Sequence, residues 1–423
     1  MKQITKSKLP ALVLAICLIL SNVTMAFADA PTVQAPSLTA IDKEIATTAE
    51  SLKSSASMNA ADDFYNSSKL LILLLRSGIN CSNLVDSYLS QVSTAYISNG
   101  ELTLADPLTD YAYLSIVLAL SGRDATNFNG FNLIERYEAA LTTVDQATLN
   151  SINPYKLPHL YTMVSAYSKE FKDSAACLTL IKTAILSYAN ENGIDYWGNS
   201  ADNNGFALSG LSVLSNSDSS IKNLIENAIL FSQTLLQPDG TSDGDFQWSA
   251  FSNSDSTAAS LTLYSAYGQP DLAAKSYAGL LTFKNTAQPG AYNYTIVDEV
   301  ASSYSTIDAL YSLVSYRAVL ANQSAPFDVS DILASGSLPI NIPEPETAEI
   351  ASSSAIDITS TADTTSTIDT ASTIDSDIDL SKTSPATNDS DITTIVLLIS
   401  LISACGVVAV TSIQNMQKKR KNS

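Results

Sequence analysis

Across residues 39–325 the apolar positions recur at helical spacing. In 219–236, Ile221, Leu224, Ile225, Ala228, Ile229 and Leu230 fall at or near i, i+3 and i+4. Gly and Pro gather between such runs, and no alternating strand pattern persists beyond a few residues. Two kinds of segment alternate along this stretch. Strongly apolar segments start near Asp63, Asp110, Asn153, Asn204, Asp255 and Ser302, a period of 43–51 residues. Their polar starters suit helix N-caps, because a side-chain oxygen there accepts an orphan backbone N–H. Amphipathic segments lie between them at 82–98, 128–144, 174–190, 219–236 and 271–285. The alternation predicts an all-α head of six apolar inner helices and about six amphipathic outer helices, an α/α toroid. An open superhelix is the alternative, although such repeats are usually shorter.

The pattern changes outside the head. Residues 1–30 have the three parts of a secretory signal: Lys2, Lys6 and Lys8, the apolar run Leu9 to Leu20, and small residues leading to a cut after Ala30. Residues 326–391 begin with Pro326, Pro339, Pro343 and Pro345. They continue as Ser, Thr, Ala, Ile and Asp, with the short repeats Thr365-Ser366-Thr367-Ile368-Asp369 and Ala371-Ser372-Thr373-Ile374-Asp375. Such a composition buries too little apolar surface to offset chain entropy, so a disordered stalk is predicted. The apolar run 392–413 is long enough for one C-terminal transmembrane helix across a ~30 Å core. The basic tail 414–423, with Lys418, Lys419, Arg420 and Lys421, then lies in the cytoplasm and the head outside.

Charge narrows the partners. Lys+Arg is 22 against Asp+Glu 42, a net charge of −20. Non-specific binding to phosphate backbones comes from Lys and Arg, so nucleic acid is not an expected partner. There is one histidine, His159, which leaves no His-based metal site; no metal and no cofactor is expected. A core or lumen-lining role is the plainer reading of His159. Within the exported part only Cys81 and Cys177 remain, as a disulfide or as two free thiols.

Two resemblances follow from short motifs. Ser384-Pro385-Ala386-Thr387-Asn388-Asp389, placed before the apolar run and basic tail, resembles the cell-wall sorting signal of Gram-positive bacteria. It carries Ser384 where Leu is usual and Asn388 where Gly is usual. The resemblance implies sortase and peptidoglycan as partners, cleavage between Thr387 and Asn388, and a wall-anchored protein; a simple membrane anchor is the alternative. Within the head, Gln237-Pro238-Asp239-Gly240 followed by Asp243-Gly244-Asp245-Phe246 and Thr257-Ala258 resembles the turn and helix start of the prenyltransferase and squalene-cyclase repeat. Weaker copies are Asn192-Gly193, Gln288-Pro289-Gly290 and Asn99-Gly100. The resemblance spans most of 60–315 and implies a terpenoid cyclase-like toroid in which this turn is structural. The Asp-x-Asp-Asp acid of the cyclases is absent, as is the Asp, Cys and His zinc set of the protein prenyltransferases.

Chemistry must therefore come from other residues. Asp202, Asp239, Asp243, Asp245 and Asp255 fall at junctions leading into inner helices, and in a toroid such junctions share one end. Trp197, Tyr196 and Trp248 offer faces for stacking on sugars. The expected function is binding of a small ligand, glycan or surface partner without catalysis. The alternative is an extracellular enzyme, terpenoid cyclase-like or a glycoside hydrolase with paired Asp as acid and base. N-capping and turn formation are the structural alternative for every one of these Asp. Calcium at Asp239, Asp243 and Asp245 would lack the EF-hand spacing.

Overall fold

A computed structural model describes residues 34–245 and 250–335. The signal segment 1–30, Trp248, Thr387 and Asn388, the transmembrane run 392–413 and the tail 414–423 lie outside the described residues. What is described is mostly helical, in agreement with the all-α reading. Twelve longer helices alternate between an amphipathic and a buried kind. The amphipathic ones are α1 (Leu38–Ser55), α3 (Ser82–Tyr96), α5 (Leu133–Thr143), α7 (Ser174–Leu186), α9 (Ser219–Leu235) and α11 (Pro270–Leu281). The buried ones are α2 (Phe64–Ser77), α4 (Asp110–Leu120), α6 (Leu157–Ala166), α8 (Ala201–Ala207), α10 (Ser254–Ala266) and α12 (Ser303–Leu320). Every residue of α4 is buried, and most of α10 and α12. A helix apolar all round needs neighbours on all sides.

Those neighbours are the other buried helices. α2 packs on α4, α4 on α6, α8 on α10, α10 on α12, and α12 returns to α2. α6 reaches α8 through Tyr155, just ahead of α6, whose ring meets Phe206 edge-on at 6.3 Å and whose hydroxyl donates to Asn203 Oδ1 at 2.6 Å. Each amphipathic helix packs against a buried partner: α1 against α12 and α2, α3 against α2, α5 against α4, α7 against α6, α9 against α8, α11 against α10.

Two of the six polar starters, Asp63 and Ser302, act as caps, and the starts near Asp110 and Asn153 have no side-chain cap. Asp63 accepts from Asn66 N at 3.3 Å and Ser302 from Ser305 N at 3.1 Å. At the fourth and fifth starts the cap falls earlier than Asn204 and Asp255: Ser200 caps α8 and Asn253 caps α10. Asn204 is then the fourth residue of α8, and it takes a different task. Its Oδ1 accepts the backbone N–H of Ile194 at 2.9 Å. Thr257, fourth in α10, accepts from Ser242 N at 2.9 Å, and Thr306, fourth in α12, from Tyr292 N at 3.0 Å. Three successive helices thus hold the preceding turn by the same bond, which is the physical content of the Thr in the 237–260 motif.

The turn glycines repeat likewise. Gly240 has φ +92°, and a Cβ there would lie 2.1 Å from Lys275 O on α11; Gly290, at φ +81°, would place one 2.3 Å from Thr47 O on α1. Only a residue without Cβ fits such left-handed turns pressed against a neighbouring backbone.

One boundary differs from the sequence reading. Residues 326–335, expected to begin the stalk, pack into the head. Phe327 and Val329 are buried, and the short helix Ser330–Ser335 rests on α4 and α6. The cause is Arg76, at the end of α2 and only 5 % exposed. Its Nε donates to Pro326 O at 3.1 Å, its guanidinium grips Asp331 at 2.8 and 3.0 Å, and it also donates to Asp328 O. Proline content suggests a linker; a buried guanidinium with these partners outweighs it.

Candidate functional site

The buried helices carry a contiguous set of aromatic and charged side chains. One part of it is built on His159, third residue of α6. Phe327 stacks flat on its ring at 3.6 Å. Tyr113 O–H donates to His159 Nδ1 at 2.8 Å, and Tyr311 O–H donates to Ser209 Oγ at 2.7 Å while sitting 3.2 Å from His159 Nε2. This order of bonds assigns the proton to Nε2. Burial, with a smaller push from Lys69, holds the imidazole well below its ordinary pKa, so His159 is neutral and structural.

Next to it, sharing Tyr311, are Lys69 and Asp308. Lys69 Nζ pairs with Asp308 Oδ1 at 2.8 Å and lies 5.7 Å over Phe206 and 6.0 Å over Tyr311. Burial opposes its charge, but Asp308 and the neighbouring Tyr65 leave the ammonium pKa raised. On the opposite side Lys156 Nζ stands 4.6 Å over Tyr65 and 4.0 Å from Asp106. Asp110 is engaged as well: its carboxylate accepts from Asp106 N at 2.9 Å and Thr109 Oγ1 at 3.2 Å, and burial raises its pKa to about 6.

The first turns of α8 and α10 hold two further carboxylates, Asp202 and Asp255. Burial raises the Asp202 pKa to about 7, with Asp255, Asp308 and Asp245 adding to it. The Ser256 hydroxyl works in the other direction, yet neither it nor Asp202 Oδ1 makes a hydrogen bond of ordinary geometry. Asp255 is also raised, by burial first and Asp308 second, although it accepts from Ser254 Oγ at 3.0 Å. Asp202 opens onto a cleft of about 670 Å³ whose walls include Tyr155, Tyr196, Trp197, Asn203 and Asp245. That size lies in the range of small-molecule sites.

The cleft's aromatic wall is held from behind. Trp197 is 88 % exposed, has φ +58°, and stacks on Tyr196 at 4.5 Å with a 17° interplanar angle. Asn203 Nδ2 donates to Tyr196 O at 3.1 Å and Gly198 O at 2.7 Å, so one buried amide fixes both sides of the tryptophan. A large exposed ring held on a fixed backbone is a stacking platform with little ordering left to lose on binding.

The seven sequence candidates therefore separate. Trp197, Asp202 and Asp245 line one cleft, and Asp255 stands behind it. Asp239 and Asp243 belong to the turn instead. Asp239 Oδ1 accepts from Thr241 N at 3.0 Å, and Asp243 accepts from Gln237 Nε2 at 2.7 Å and Ser252 Oγ at 2.8 Å. Gln237 thus braces Asp243 within the turn. Trp248 is outside the described residues. Among the described residues no group of three or more His, Cys, Asp or Glu is placed to hold a metal ion. Cys81 and Cys177 are both buried free thiols, which settles the pairing left open by the sequence. None of the described helices is long and apolar enough to cross a membrane.

Lys69, Asp308, Tyr155 and Asn203 complete the site and were missed from sequence. Lys69 and Asp308 are each a single charge in a largely apolar helical run, which does not show by itself that they meet. Asn203 resembled its capping neighbours and carried no signal.

No protein-family model, curated protein or solved structure matches this chain.

Proposed function

We propose that the chain is a surface-displayed binding protein whose head is an α/α toroid and whose cleft beside Trp197 recognises a glycan. The cyclic packing of the buried helices and the three repeated turn-to-helix bonds support the toroid and its likeness to the terpenoid cyclase-like repeat. The signal at 1–30, the stalk, the sorting motif 384–389 and the run 392–413 support export and attachment to peptidoglycan by a sortase acting between Thr387 and Asn388. Anchoring is tested by releasing the wall with a muramidase and finding the chain ending at Thr387.

The observation that carries the ligand reading is the Tyr196–Trp197 platform, exposed at a cleft that Asp202 and Asp245 also line. Flat apolar sugar faces stack on such rings while hydroxyls bond the acids. A glycan array probed with the purified chain should give discrete binders, and Trp197→Ala should abolish them. An array without binders, or one unaffected by Trp197→Ala, would overturn this assignment.

One observation favours a second reading, hydrolysis of the bound glycan. Burial raises the Asp202 pKa to about 7, so it holds its proton across the acidic range as a general acid must. Release of reducing ends, lost in Asp202→Asn with binding kept, would establish it; binding without release leaves the lectin-like role.

A further inference from the structure

We infer that the site runs beyond the cleft, as a row across the starts of α8, α10 and α12, and that it takes a straight β-1,4-linked polysaccharide rather than a single sugar. This rests on the glycan reading above and names the class of its ligand. Three features lead to it.

The first is a set of exposed apolar side chains at one repeated position. Trp197 stands four residues ahead of the first residue of α8, and Phe251 and Val300 stand three ahead of those of α10 and α12. Phe251 is 46 % exposed and Val300 81 %, and Tyr304 in the first turn of α12 is 70 % exposed. Single exposed apolar residues are ordinary, but one at the same place ahead of three adjacent helices makes a surface. The second feature is alignment. Ala201 N, at the start of α8, donates to Gly244 O in the next junction at 3.1 Å, and Ser254 N, at the start of α10, donates to Tyr294 O in the junction after it at 2.9 Å. The three starts therefore stand side by side at one end of the head, in the order α8, α10, α12 in which these helices pack. Packed helices lie about 8–10 Å apart, close to one disaccharide unit of a β-1,4-linked chain, so the row spans about four sugars. The third feature is support. A buried Asn lies behind each member of the row. Asn203 holds the backbone on both sides of Trp197, Asn253 Nδ2 donates to Phe251 O at 3.4 Å, and Asn293 Nδ2 donates to Asp298 O at 2.7 Å in the loop leading to Val300. The Phe251 ring also meets Tyr294 edge-on at 6.0 Å. Side chains fixed on such backbone lose little freedom on binding, and the flat faces of a straight chain recur at the spacing of the row.

The test is calorimetric titration of the purified full chain with β-1,4-linked oligomers of glucose and of N-acetylglucosamine, each as dimer, tetramer and hexamer. In a series that binds, the tetramer should bind on the order of tenfold tighter than the dimer, with little added by the hexamer. Phe251→Ala should bring the tetramer to within about twofold of the dimer and leave the dimer's affinity as it is, whereas Trp197→Ala should weaken every length. Tyr304→Ala, at a more exposed position, serves the same purpose if Phe251→Ala fails to fold. Equal affinity for dimer and hexamer, or a length dependence that neither Phe251→Ala nor Tyr304→Ala reduces, would overturn the row and leave a glycan site at Trp197. Absence of binding to both series would overturn the row as well, and the glycan array would then decide alone whether the cleft takes a sugar. An alternating valine–serine peptide that binds as tightly as the tetramer, and is lost in Phe251→Ala, would overturn the saccharide class in favour of an extended polypeptide.

Discussion

Asp202 gives a prediction that needs no ligand. Its carboxyl has a folded-state pKa of about 7 against 3.8 when free. Between those values the folded protein holds a proton that the unfolded chain has released. Stability therefore falls as pH rises through this window, and above it the folded protein bears the whole cost of a buried, crowded charge. At about 1.4 kcal/mol per pH unit the limit is ~4 kcal/mol. The side chain is only half-buried and shares its field with Asp255 and Asp245, so solvent and coupling reduce this to about 2 kcal/mol. Asp202→Asn keeps the shape and removes the charge. The variant should be more stable than the wild type by about 2 kcal/mol at pH 8, nearly equal to it at pH 4.5, and flatter in between. Urea denaturation followed by circular dichroism at several pH values reads this directly. A variant less stable at pH 8, or one with the wild-type slope, would show that Asp202 is not a destabilised carboxylate and would remove the basis for its functional role.

Three further outcomes follow from the fold. Phe327→Ala removes the ring stacked on His159 and should cost about 3–5 kcal/mol in urea denaturation; a loss below ~1 kcal/mol would mean that 326–335 is a loosely attached linker. Burial raises both Cys81 and Cys177 to about 11, so a thiol-reactive disulfide reagent at pH 8 should label neither until denaturant is added, and rapid labelling of the native chain would contradict their burial. Gly100→Ala, at φ +77° with open space around it, should cost only the left-handed strain of ~1–2 kcal/mol, whereas Gly240→Ala and Gly290→Ala should cost clearly more because backbone must also move; equal thermal shifts for the three would deny the close packing of the turns on α11 and α1.

Much of the fold was legible because it rests on local periodicity. The buried helices are richer in apolar and small residues than the helices outside them, and polar residues lie within a few positions of their starts. What the sequence hid depends on contacts distant in the chain. Arg76 reads as an ordinary helix-end cation until it meets Asp331. The segment around Phe327 reads as linker because Pro326 and the prolines beyond it dominate the local composition. Of the candidate site, Asp202 and Asp245 were legible as acids at junctions leading into inner helices, and Trp197 as a ring suited to stacking. Lys69 and Asp308 were not, since each is a single charge in an apolar run and only the return of α12 onto α2 brings them together.

The two acid-bearing regions of the head illustrate how structure separates a turn from a site. Asp239 and Asp243 have donors at hydrogen-bonding distance, Thr241 for one and Gln237 with Ser252 for the other, so their charges are satisfied by the fold that they help to build. Asp202 leaves an oxygen unmet, and Asp255 has one serine donor at bonding distance. Folding alone would favour Asn or Ser at Asp202, because either would cap or fill without the electrostatic penalty. The stability gain expected of Asp202→Asn therefore measures the electrostatic cost that this one carboxylate adds to the native state.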